Sequence, residues 1–233
     1  MWKNKQSLLK QLSWLLIFSI AMAYLESAVV VYLREIYYPS GFSFPLTPIN
    51  ADIFITEFWR EIATIIMLAG ISILTGNSSS QRFAFFLLTF AIWDIFYYVF
   101  LYALLGWPSS LLTWDILFLV PIPWVGPVIT PIIISLIMII LASSLIHFKK
   151  NLNLNQWILS ILGSLVVITS WVLDYWNFSS HQFSNGCWTL FSEQELFGSS
   201  EEYIPASFNW YIFFIGILFL LAAIVSYHLR NRR

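Results

Sequence analysis

The sequence contains few charged residues. Only 10% of its 233 residues are Asp, Glu, Lys or Arg, whereas 59% are hydrophobic and 19% are aromatic. Soluble domains carry about 25% charged residues, so this chain would have too little polar surface to remain in water. We therefore expect an all-α integral membrane protein, with residues 1–233 forming a single domain. A bacterial inner (plasma) membrane is the expected location.

The sequence also lacks the usual signatures of bound cofactors. Its single cysteine, Cys187, excludes an internal disulfide and a metal site built from several cysteines. No pattern for nucleotide, haem or zinc binding is present, and no basic patch of the kind that binds nucleic acid. The cofactor is thus unknown and no metal ligands are predicted. The expected partners are the lipid bilayer, a small-molecule or lipid ligand, and further subunits.

Six apolar segments approach the roughly 20 residues that a helix needs to cross a bilayer. The predicted spans are 12–36, 52–75, 83–105, 127–147, 156–176 and 208–229. A polar outer loop, 177–207, precedes the last span. The first span begins like a signal peptide, with Ala-x-Ala at 21–23. Because its apolar run continues past that point, we expect it to remain uncleaved.

The distribution of lysine and arginine predicts the orientation of the bundle, because cytoplasmic loops are enriched in both. With six spans, nine of the eleven basic residues fall at one end of the bundle. These are Lys3, Lys5, Lys10, Arg82, Lys149, Lys150, Arg230, Arg232 and Arg233. We expect this end, with both chain termini, to be cytoplasmic.

The segment 108–125 is apolar but interrupted by prolines, each of which removes a backbone hydrogen-bond donor. Its apolar run, 111–120, is only about ten residues and too short to be a further span, and an odd number of spans would move the C-terminal arginines outside. We expect a Pro-broken re-entrant or interfacial segment on the outer side, packed against other spans. An ordinary Pro-rich outer loop is the alternative.

Acidic residues gather in the outer half of the predicted bundle. An ionised side chain at the centre of a spanning helix costs about 2.5–3.5 kcal/mol on insertion scales, so these groups should face the bundle interior or a wet cavity. Only Arg34 and Arg60 accompany them, which leaves five negative charges to be offset by solvent, a proton or a hard cation. The acids are Glu26, Glu35, Glu57, Glu61, Asp94, Asp115 and Asp174.

The densest part of this set is the stretch TEFWREIAT at 56–64. Glu57 and Glu61 are four residues apart and therefore share a helix face. Arg60 can bind either of them, and a structural clamp would pair it with Asp94 or Glu26. The same clamp would pair Arg34 with Glu57 or Glu61.

The segment WDIFYY at 93–98 adds hydroxyl groups to the candidate site. Tyr97 and Tyr98 follow Asp94 by three and four residues, so either hydroxyl can lie on its side of the helix. Tryptophans 107, 114 and 124 fit an outer interfacial belt. The candidate binding residues are Glu26, Arg34, Glu57, Arg60, Glu61, Asp94, Tyr97, Tyr98 and Asp115.

Three functions are compatible with this pattern. A small transporter or permease-like protein would bind a proton or cation, coupled to a solute, at the carboxylates. A membrane-embedded enzyme acting on a lipid or isoprenoid would use carboxylates as acid and base and an arginine for phosphate. A non-catalytic subunit or assembly factor would use the charges to dock a partner.

Overall fold

The computed structural model describes residues 5–47, 49–119, 122–182 and 203–232. Within these ranges the chain forms six long helices and one β-hairpin. The elements are α1 Lys5–Tyr37, α2 Ala51–Thr75, α3 Ser79–Leu105, β1 Trp114–Phe118, β2 Trp124–Pro127, α4 Ile129–Phe148, α5 Leu154–Gln182 and α6 Trp210–Asn231. All six helices are long and apolar enough to cross a membrane, which confirms the predicted number of spans.

Local sequence explains where several of these helices begin and end. The Asn50 side chain accepts from the Asp52 amide, and the Ser78 hydroxyl accepts from the Gln81 amide, so two N-termini are capped by side chains that favour that role. α3 ends at Leu105 and is capped by Gly106, whose φ of 66° lies in the left-handed region that glycine enters without strain. The polar segments between spans therefore set the boundaries.

The helices pack in two connected groups. In the first group, α3 packs against α1, α2 and α4. In the second, α5 packs along α6, and α6 in turn contacts α4. The α5–α6 crossing is close because Gly163 and Gly216 face each other. A Cβ built on Gly216 would lie 2.9 Å from the Gly163 carbonyl oxygen. Small residues at such crossings allow the backbones of membrane helices to approach.

The described basic residues other than Arg34 and Arg60 lie at one end of the bundle, as predicted. There the Gln11 side chain donates to the Thr75 carbonyl at 2.9 Å, which joins α1 to α2. The hydroxyls of Ser80 and Tyr227 donate to the Lys150 carbonyl at 3.1 and 2.8 Å, which joins α3 and α6 to the α4–α5 connection. The carboxylates of the candidate site lie toward the opposite end.

The strands β1 and β2 pair as an antiparallel hairpin, which the sequence did not predict for the segment 108–125. Asp115 pairs with Gly126 and Ile116 with Val125, and the register shifts between Ile116 and Phe118, where Leu117 forms a bulge. β2 packs on α5: a Cβ on Gly126 would lie 3.0 Å from the Trp171 ring. The hairpin therefore fills the end of the bundle that lies away from the basic residues, between α5 and the first three helices.

The predicted outer loop 177–207 is shorter than expected, because α5 continues to Gln182. Cys187 and most of that loop lie outside the described residues. Tyr203 returns to the bundle and packs with Leu46, Val125 and Tyr175 in an apolar cluster beside the hairpin. Its hydroxyl donates to the Asp174 carboxylate of α5, and this hydrogen bond fixes the chain just before α6.

Candidate functional site

A cavity of about 140 Å³ lies between α1, α2 and α3 and is covered by the hairpin. All nine candidate residues line it. Helices α1 and α3 contribute their C-terminal halves and α2 its N-terminal half, so antiparallel packing brings the charges to one end of the bundle. Their clustering was predicted from the sequence; whether they bind a ligand stays a prediction.

Arg60 connects the carboxylates of α1 and α2. Its Nε donates to Glu57 Oε2 at 2.7 Å, one turn earlier in α2, and its Nη1 contacts Glu26 of α1. Glu26 also accepts from the Thr64 hydroxyl at 3.3 Å. Glu26 is one of the two partners expected for Arg60. The charges therefore form part of the contact between α1 and α2.

Arg34 has a different partner from the one expected. Its Nη2 lies 3.5 Å from Asp115 of the hairpin, and not beside Glu57 or Glu61. The guanidinium also lies over the rings of Trp107 and Phe42, at 3.7 and 4.6 Å from their centroids. Trp107 is thus a cation–π partner within the protein, where the sequence suggested a place in an interfacial belt.

Asp115 joins the hairpin to two helices. Besides its contact with Arg34 of α1, it accepts from the Tyr98 hydroxyl of α3 at 3.2 Å. Burial raises the pKa of Asp115 to about 6, although both partners act to lower it. The desolvation of this carboxyl therefore outweighs its ion pair.

Two carboxylates on the cavity wall have no basic partner within 4 Å among the described residues. Glu61 accepts only the backbone N–H of Leu119, at 3.1 and 3.2 Å to its two oxygens. Asp94 accepts the Ser135 hydroxyl of α4 at 2.8 Å. Neither donor carries a charge, so the negative charges of Glu61 and Asp94 are not neutralised by these contacts.

The cavity is therefore acidic as a whole. Five carboxylates and two guanidinium groups line it, an excess of three negative charges when all are ionised. In the part of the chain that the structure describes, no three His, Cys, Asp or Glu side chains come together in a way that could hold a metal ion.

Two acids of the predicted set do not belong to the cavity. Glu35 is exposed on the opposite side of α1 from the lining residues. Asp174 lies in the C-terminal half of α5 and accepts from the Tyr203 hydroxyl at 2.8 Å and the Ala206 amide at 3.3 Å. Burial, together with this carboxylate, raises the pKa of the Tyr203 phenol. Asp174 thus anchors the chain before α6, and the predicted excess of five charges falls to three.

Three features of the site were not predicted. Trp93 lines the cavity, is 7% exposed, and has an Nε1–H with no acceptor among the described residues. Ser135 and the Leu119 amide hold Asp94 and Glu61. Of the three, only Trp93 could have been proposed from the sequence, because it directly precedes Asp94. The other two contacts depend on long-range packing.

The comparisons with known proteins assign no function to this site. The chain matches no protein-family model, and no match to it was found among curated proteins or solved structures. A functional assignment must therefore rest on the chemistry of the cavity itself.

Proposed function

We propose that this protein is a small transporter or permease-like membrane protein that binds a proton or cation, coupled to a solute, in the acidic cavity. The observation that carries the proposal is the pair Glu61 and Asp94, two cavity-lining carboxylates with only uncharged donors. Buried charges in membrane proteins are costly and commonly mark ion or proton pathways. A cation bound between these walls would offset the excess charge.

The two arginines argue against an anionic substrate. Arg60 already contacts Glu26 and Glu57, and Arg34 contacts Asp115. A phosphate or pyrophosphate group would have to displace one of these carboxylates and then tolerate the remaining negative charge of the cavity. This disfavours an enzyme that holds a lipid or isoprenoid phosphate, and it favours a positively charged ligand.

We further propose that the cavity faces the outer side of a plasma membrane, such as a bacterial inner membrane. The support is the separation of charge along the bundle, with Lys150, Arg82 and Arg230 at the end opposite the cavity. Basic residues are enriched on the cytoplasmic side. Both termini would then be cytoplasmic, and the hairpin would cover the site from outside.

Thermal unfolding of the detergent-purified protein, measured across pH and a panel of monovalent and divalent cations, tests the proposal. A ligand that binds only the folded state stabilises it by about 2.7 kcal/mol at a hundredfold excess over its Kd. We expect a saturable, cation-specific rise in Tm that is lost in Glu61→Gln/Asp94→Asn. Asp174→Asn is the matched control, because it removes an acid outside the cavity.

Ion flux into proteoliposomes, driven by an imposed membrane potential, then separates transport from binding alone. Flux should disappear in the double variant and persist in Asp174→Asn. If the wild-type protein and the double variant show the same cation response and the same flux, the proposal is wrong. The charges would then be structural clamps, or would dock another protein as in an accessory subunit.

A further inference from the structure

We infer that the cavity takes a small alkyl-ammonium ion, an organic monocation. This inference deepens the proposed function by naming a substrate class, and it rests on that function. It depends on three properties of the same cavity: its uncompensated carboxylates, its aromatic walls and its volume.

The charge balance selects a cation of low charge. Glu61 and Asp94 project into the cavity from different helices, α2 and α3, and each is held by a neutral donor. Within the described ranges, no three acidic or His and Cys side chains could hold one metal ion. An ammonium group needs no such convergence, because its hydrogen bonds and charge can be satisfied by a single carboxylate and nearby rings.

The aromatic lining favours an organic cation over an alkali ion. Seven aromatic side chains line the cavity, among them Tyr37, Tyr97 and Phe118. Ring faces attract ammonium groups, and quaternary ammonium ligands are commonly recognised in this way. Six further lining side chains are aliphatic, among them Val30, Leu33 and Ile49, and they suit the methylene and methyl groups of an organic ion better than the hydration shell of an inorganic one.

The volume limits the size of the ligand. A protein cavity of roughly 150 Å³ accommodates a molecule the size of benzene, and this cavity measures about 140 Å³. Ethanolamine and choline, with four and seven non-hydrogen atoms, lie within that limit. Tetrabutylammonium, with 17, does not.

The same chemistry is found in free amino alcohols and in the headgroups of phosphatidylethanolamine and phosphatidylcholine. Isothermal titration of the delipidated protein in detergent with choline and ethanolamine tests the free ligands. Nanodiscs made with either phosphatidylethanolamine or phosphatidylglycerol test the headgroup, through the Tm of the protein in each. The carbon isostere of choline, 3,3-dimethyl-1-butanol, is the control without charge, and tetramethylammonium tests whether the ammonium group alone is sufficient.

We expect saturable binding of choline or ethanolamine, no binding of the neutral isostere, and none of tetrabutylammonium. Glu61→Gln or Asp94→Asn should weaken binding about 10- to 100-fold, as for a hydrogen bond to a charged group. Tetramethylammonium should also bind, because the inference requires only the ammonium group. Asp174→Asn should bind like the wild-type protein.

Binding of choline or ethanolamine to the delipidated protein supports the inference and indicates that the ligand is a soluble ammonium compound. A Tm that is higher in phosphatidylethanolamine than in phosphatidylglycerol, with the difference lost in Asp94→Asn, supports it with a headgroup source. If no ammonium compound binds in either arm, while the carboxylate-dependent response to pH or inorganic cations persists, the inference is overturned and the proposed function stands. If that response is also absent, both fail.

Discussion

Arg60 offers the sharpest test of how the charged site is held together. Its guanidinium is shared between Glu26 of α1 and Glu57 of α2, and the three side chains are 21%, 11% and 8% exposed. Replacing Arg60 with Met keeps a long apolar stem but leaves two largely buried carboxylates without their cation.

Removing one partner from a buried ion pair typically destabilises a protein by about 3–5 kcal/mol. Since Arg60 is one-fifth exposed, water can partly solvate the carboxylates, and we expect the lower end of that range, about 3 kcal/mol. The triple variant Glu26→Gln/Glu57→Gln/Arg60→Met should recover most of this loss, because replacing all charged partners removes the uncompensated charge.

Reversible unfolding in mixed micelles, followed by circular dichroism, measures these differences. Arg82→Met is the matched control: Arg82 is exposed and its Nε donates to the Gly76 carbonyl at 3.1 Å, so its loss should cost less than about 1 kcal/mol. If Arg60→Met costs no more than Arg82→Met, the two carboxylates do not depend on Arg60 and the account of the α1–α2 contact is wrong.

Two further predictions concern the hairpin and the α5–α6 crossing. Burial raises the pKa of Asp115 from 3.8 to about 6, so its protonated form stabilises the fold below about pH 4 and this stabilisation is lost as the pH rises through 6. The change amounts to about 3 kcal/mol and should appear as a fall in wild-type stability relative to Asp115→Asn between pH 4 and 7; parallel stability curves would refute it. Gly216→Ala should destabilise the protein by about 1–3 kcal/mol, because the new Cβ would lie 2.7 Å from Val167 Cγ2 and 2.9 Å from the Gly163 carbonyl oxygen. Gly70→Ala, where no atom lies within 4 Å, should be neutral or stabilise by up to about 1 kcal/mol in the same unfolding assay, and equal losses in the two variants would contradict the close crossing.

The spans and the clustering of charge could be predicted because each depends on local composition. Apolar length fixes where a helix can cross a bilayer, and the alternating direction of successive helices then determines which charges share an end. For this reason Glu26, Glu61 and Asp94 could be placed together without knowledge of any contact.

The hairpin could not be predicted, because local sequence does not decide it. Trp93–Phe96 reads WDIF and lies within α3, whereas Trp114–Leu117 reads WDIL and forms most of β1. The difference is set by the partner strand and by packing on α5. β-propensity depends strongly on such context.

The pairing of the charges was equally beyond reach of the sequence. Arg34 could have formed an ion pair with any acid at its end of the bundle. Its pairing with Asp115 depends on where the hairpin lies. Asp174 resembled the cavity acids in position along its helix, but it faces Tyr203 instead. The position of the hairpin determines the first outcome and the rotation of α5 about its axis the second, and the spans alone specify neither.

The contact between the hairpin and Glu61 has a consequence for mutagenesis. The donor is the main-chain N–H of Leu119, which every amino acid except proline possesses. An alanine scan would therefore leave this hydrogen bond intact at position 119, although the main chain there directly contacts a cavity carboxylate. The same holds for natural variation, since any side chain except that of proline retains the donor. Proline is the informative replacement at residue 119, and its exclusion would reveal a requirement that side-chain identity hides.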